Sequence, residues 1–137
     1  MDLAAVMDEV ATRLATISGL RVTAHPPDEI QPPAAVVTYP DSYDFDQTYG
    51  RGSDRIELPV VVLVGKVSTR AARDKLSGYV NGSGASSVKA VLEADPHTYT
   101  AFHTLRVTKV DFDVIAVGAV EYLTATFTLD IFGRGAQ

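Results

Sequence analysis

The chain contains no cysteine, and it is poor in histidine and in basic residues. Without a thiol it can build no disulfide framework, no thiolate metal site and no cysteine nucleophile. Its three histidines, His25, His97 and His103, never pair with a Glu in the helical zinc pattern. The gap from His97 to His103 does not suit one helix face either, so all three are expected in solvent-facing loops. A long apolar run is also missing. The longest, Pro59 to Val64, is far too short to span a bilayer. The first nine residues hold Asp2, Asp8 and Glu9, acids where a signal peptide carries bases. These features predict a protein made and kept in a cytoplasm-like compartment unless an assembly carries it out. Lys and Arg number 12 against 17 Asp and Glu, a net charge of −5. Such a chain repels a phosphate backbone, which argues against duplex binding as its task but allows nucleic acid to slide past.

Catalytic signatures are equally scarce. Gly82-Ser83-Gly84-Ala85-Ser86-Ser87 leads into a helix, as an anion-binding turn does. However, Val88 follows Ser87, the Walker lysine is absent, and the loop follows a helix rather than a strand. A helix–helix connector accounts for every residue. Asp44-Phe45-Asp46 opens like a calcium loop, but Arg55 stands where the twelfth-position Glu is required. Asp111 and Asp113 share one side of a strand, and paired carboxylates do acid–base chemistry when buried. They alternate with Phe112 and Val114, which take the inward face, so the carboxylates are expected in solvent. Asp28-Glu29 is a plain loop pair, and no nucleophile elbow supports a Ser–His–Asp site.

What the chain does have is ordinary globular material: 137 residues, 46% hydrophobic and 21% charged. That suffices for a single domain over 1–137 with one substantial core. Leu3, Val6, Met7, Val10, Leu14 and Ile17 draw an apolar stripe, predicting a helix over 2–17 capped by Asp2 and ended near Gly19. A short strand at 20–24 follows. Two Pro-Pro pairs make 25–33 an extended loop. Ala34 to Tyr39 reads as a strand, and 55–66, with Val60-Val61-Val62-Leu63-Val64, as a central strand buried on both faces and begun at Pro59. Ser68 or Thr69 caps a second helix to Val80, with Ala72, Leu76, Tyr79 and Val80 inward. Ser86 caps a third, which Pro96 ends. In 120–131 Leu123, Ala125, Phe127, Leu129 and Ile131 alternate with polar residues, a half-buried strand. Its partner, 105–117, changes phase near Lys109, as a β-bulge would require. The order is α-β-β-β-α-α-β-β. It predicts an α+β fold: one mostly antiparallel, mixed sheet of about five strands with the helices on one face. Residues 40–53, polar, acidic and aromatic together, are expected to project as a loop or hairpin arm.

Two stretches resemble a known family. Leu76-Ser77-Gly78-Tyr79-Val80-Asn81-Gly82 through Glu93-Ala94 is one. Leu105-Arg106-Val107 with Val117-Gly118-Ala119-Val120-Glu121-Tyr122-Leu123-Thr124-Ala125-Thr126-Phe127 is the other. Together with the first helix and the length, they resemble the tail terminator, or tail completion, proteins of siphophages that infect actinobacteria. The segment His97 to His103 carries none of the resemblance. The resemblance implies a non-enzymatic virion protein, assembled in the host cytoplasm, that forms a six-membered ring on the head-proximal end of the tail tube. The ring stops tube growth and joins the tube to the head completion or neck proteins. DNA passes through its lumen without sequence-specific binding, and no cofactor and no membrane is involved. A heterologous interface that closes makes such a ring, and an acidic balance suits a DNA channel. In that setting the arm is expected to reach a neighbour or the tube, with Tyr43, Phe45 and Tyr49 as anchors and Asp46, Arg51 and Arg55 as charged partners. Two alternatives stand beside it. One is another head–tail connector ring. The other is a small ligand-binding or hydrolytic domain, which needs a deep pocket with convergent polar groups.

Overall fold

A computed structural model describes residues 2–17, 20–23, 33–45, 53–66, 70–84, 86–94, 99, 101–117 and 119–134. Helix α1, Leu3–Leu14, begins where expected: the Asp2 carboxylate accepts the Ala5 N–H at 3.4 Å. It buries Val6, Met7, Val10 and Leu14, the predicted stripe. The helix stops three residues early, and Thr16 and Ile17 continue as turns bonded to Arg13 and Leu14. Ile17 still reaches the core. Gly19 lies outside the described residues.

Six strands form one mixed sheet: β1 Arg21–Thr23, β2 Ala34–Val37, β3 Ser42–Asp44, β4 Ser53–Lys66, β5 Thr104–Val117 and β6 Val120–Arg134. The lateral order is β1-β2-β4-β6-β5, with β3 also paired to β4. Only β1 and β2 run parallel. The sheet thus has one strand more than predicted. The addition is β3, which lies in the predicted arm. Residues 42–44 pair with 55–57, so the base of the arm is a sheet extension; its tip, 46–52, lies outside the described residues.

Strand β4 begins at Ser53, so Pro59 sits inside it rather than at its start. The reason is the interruption between β2 and β3. The Pro59 carbonyl accepts the Thr38 N–H at 3.2 Å and the Thr38 hydroxyl at 2.8 Å. A strand residue points its N and O to the same side, so the donor that proline lacks faces the 38–41 break, where no ladder bond is lost.

Ile56, Leu58, Val60 and Val62 stand opposite Ile131, Leu129, Phe127 and Ala125, and all eight are buried. These four rows are the floor of the core. Helices α1, α2 (Arg70–Val80) and α3 (Val88–Glu93) cover that same face. Close approach of α2 depends on Gly65, where an added Cβ would lie 3.3 Å from the Ala72 Cβ. The α3 cap is Ser87, not Ser86: its hydroxyl accepts the Ala90 N–H at 3.1 Å and donates to the Asn81 carbonyl. The predicted caps of α2 lie outside the described residues. The other face of the sheet is less exposed than alternation implies. Ala34, Val36, Leu63, Thr124 and Thr128 are buried there. Thr124 offsets its burial by donating to the Asp113 carbonyl at 3.0 Å.

Candidate interaction surfaces

The predicted phase change in β5 is a bulge. Val107 faces Leu129 and Lys109 faces Thr128, leaving Thr108 as the extra residue. Beyond it, Val110, Phe112 and Val114 align with Phe127, Ala125 and Leu123 on the helix-covered face of the sheet. Helical cover does not reach that far: α3 has six residues and packs against β5. Phe112 is therefore 56% exposed and Val114 42% exposed. On the other face Asp111 and Asp113 are exposed as expected, and Ile115 beside them is 38% exposed. Among the described residues β5 ends the sheet, so one side of its backbone has no ladder partner among them. An exposed apolar edge of this kind is an adhesive surface.

At the bulge the edge opens into a cleft of about 390 Å³. Val80, Val110 and Phe127 supply an apolar floor, and Lys89, Arg106 and Lys109 surround it. Lys89 pairs with Glu93, and Lys109 lies 3.6 Å from Asp111. Arg106 has no ion-pair partner among the described residues. Three cations around one apolar cleft are notable in a chain of net charge −5. Sequence reading missed this cluster, because its members are spread over 21 positions and only the bulge near Lys109 hinted at it.

The opposite side of the sheet carries the arm. Tyr43 is half-buried, its ring 4.6 Å from that of Phe45, and its hydroxyl donates to Asp54 at 3.0 Å. Burial first, then the hydrogen bond and charge of Asp54, hold the Tyr43 phenol above its usual pKa. Phe45 is 69% exposed, and nearby Tyr39 66%. Arg55 is held within its own chain: it bonds Asp44 at 3.2 Å and Asp130, and lies 3.8 Å from Glu57. Burial lowers its pKa, but the hydrogen bond and charge of Asp130, with help from Asp44 and Glu57, outweigh that and raise it. The structure thus brings the Tyr43 and Phe45 rings together on and just after β3, while Arg55 sits on the neighbouring β4, between β3 and β6, and is bonded within its own chain. Asp46, Tyr49 and Arg51 lie outside the described residues.

No protein-family model and no curated protein matches the chain.

The remaining candidates resolve as local structure. Ser87 N–H bonds the Gly84 carbonyl at 3.2 Å and Asn81 N–H bonds Ser77 at 3.1 Å, which closes the 81–87 connector. Gly84, at φ 106°, takes a backbone form that favours glycine. Asp44 of the calcium-like start is in the Arg55 ion pair. His103 is exposed, and His25 and His97 lie outside the described residues. A smaller cleft of about 240 Å³ between α1 and Tyr99 is a clamp. There Arg13 sits 4.6 Å over the Tyr99 ring, Tyr99 donates to the Leu92 carbonyl at 2.7 Å, and Glu9 accepts the Ala101 N–H. Among the described residues no group of three His, Asp or Glu is placed to hold a metal. No described helix is long and apolar enough to cross a membrane.

Proposed function

We propose that this chain is a structural, non-enzymatic phage protein of the tail terminator kind. Copies of it form a ring, six-membered by the resemblance, on the head-proximal end of the tail tube. The ring stops tube polymerisation and presents a surface to the head completion or neck proteins, and DNA passes through its lumen. The observation that carries this reading is the outer half of β5, a sheet edge with Phe112, Val114 and Ile115 in solvent. A domain whose largest exposed apolar side chains sit on a free strand edge and on an arm is built to be joined to other chains. The second resembling stretch, 105–107 and 117–127, lies on the β5–β6 hairpin that forms this edge.

Negative-stain microscopy and light scattering of the purified protein, alone and with tail tubes, test the proposal. Rings, or subunits that assemble on one end of tubes, are expected. A persistent monomer indifferent to tubes would refute it, and binding to capsids instead of tubes would reassign it to a connector ring. A phage lacking the protein is expected to make overlong or headless tails.

A further inference from the structure

The arm and the basic cleft lie on opposite sides of the same sheet. Across the level of residues 55–57 the strands run β3-β4-β6-β5. Three inter-strand steps of ~4.8 Å separate β3 from β5, so residues 39–45 and the cleft lie apart within one chain, although Asp130 on β6 stands directly beside Arg106. Their chemistry is nevertheless complementary. The arm side offers two exposed rings, Tyr39 and Phe45, on a segment that also carries Asp41 and Asp44, the latter bonded to Arg55. The cleft offers an apolar floor ringed by Lys89, Arg106 and Lys109. Among the described residues β5 is the last strand on its side, and β3 pairs only with β4.

We infer that the cleft at the β5 bulge is the receptor for residues 39–45 of a second copy of this chain. Phe45 of one copy rests on the Val80–Val110 floor of the next, and Asp41 and Asp44 face Arg106 and Lys109. The contact joins two different patches, so it is heterologous, the type that propagates from copy to copy and closes into a ring when the rotation allows. The inference rests on the proposal that copies of the chain assemble with one another, and it names the surfaces that do so.

Because the chain has no cysteine, an engineered pair reports this contact alone. A Phe45→Cys, Lys109→Cys double variant is expected to form a disulfide-linked ladder under oxidising conditions, on tubes if not in free solution. An equal mixture of the two single variants should stop at the dimer. Charge reversal at Arg106→Glu with Lys109→Glu, and separately Phe45→Ala with Asp41→Lys, should each weaken self-association by roughly tenfold or more. Circular dichroism confirms that each variant is folded. Mixing the two charge variants should restore one contact per pair and yield heterodimers. Assembly that persists in both variants without the ladder overturns this contact and leaves the ring proposal standing. A wild-type chain that stays monomeric with and without tubes overturns both.

Discussion

Phe112 and Phe127 make a controlled comparison, because both point to the helix-covered face of the sheet from neighbouring strands. Phe127 is 2% exposed and Phe112 56% exposed. Truncating a buried phenylalanine to alanine costs about 3–5 kcal/mol. For a chain of this length each kcal/mol lowers Tm by about 3–5 °C, so Phe127→Ala should lose ~10–25 °C. Phe112 has already left about half of its surface in water, so Phe112→Ala should cost the monomer about 1 kcal/mol and ~3–5 °C. Its larger effect belongs to assembly. If a neighbour covers the exposed half of the ring, losing it should weaken each subunit contact about five- to tenfold. Thermal unfolding by circular dichroism at low concentration reads the first quantity, and light scattering across a dilution series reads the second. A Phe112→Ala monomer as damaged as Phe127→Ala would show that the outer half of β5 is covered within the chain. Unchanged assembly would show that this edge does not take part in it. Either result would remove the argument from exposure.

Three further outcomes follow from the local geometry. Deleting Thr108 removes the bulge residue while keeping Val107, Lys109 and Val110 in phase with Leu129, Thr128 and Phe127. The monomer should fold with a loss of about 1 kcal/mol for the Thr108–Thr128 hydrogen bond. Deleting Thr126 from the unbulged β6 should abolish folding, as circular dichroism and solubility will show. Arg55→Ala leaves Asp44, Glu57 and Asp130 without their shared cation. It should cost about 1–2 kcal/mol near neutrality in denaturant melts. Tyr43, Tyr79 and Tyr99 all have raised phenol pKa values, burial being the first cause in each. A raised folded pKa gives stability that is whole below the unfolded value of about 10 and is lost as pH climbs through the folded one. Denaturant melts should therefore weaken above pH ~10, and less steeply in Tyr43→Phe. That variant should itself cost ~1–2 kcal/mol at neutral pH by removing a donor from buried Asp54.

Local pattern determined much of this protein without tertiary help. Periodicity of 3.6 in α1, period two in β6 and the phase change at Lys109 each follow from backbone geometry within a few residues, so the fold class, the helix-covered face and the bulge were legible in sequence. The Ser87 cap was displaced by one residue because Ser86 and Ser87 are chemically equal candidates, and only the path from Asn81 selects between them. Strand β3 was legible only as part of a loop or hairpin arm, because Ser42 and Asp44 beside Tyr43 are poor strand formers and owe their strand structure to pairing with β4. Pro59 inside β4 was unreadable for the same reason: whether a missing donor matters depends on what lies beside it. The sequence by itself thus determined the elements and the side of each that faces inward. Only the tertiary structure decided where helical cover ends along β5, and that Lys89, Arg106 and Lys109 share a cleft across the sheet from Phe45. Those are distances between residues far apart in the chain, and no local preference encodes them.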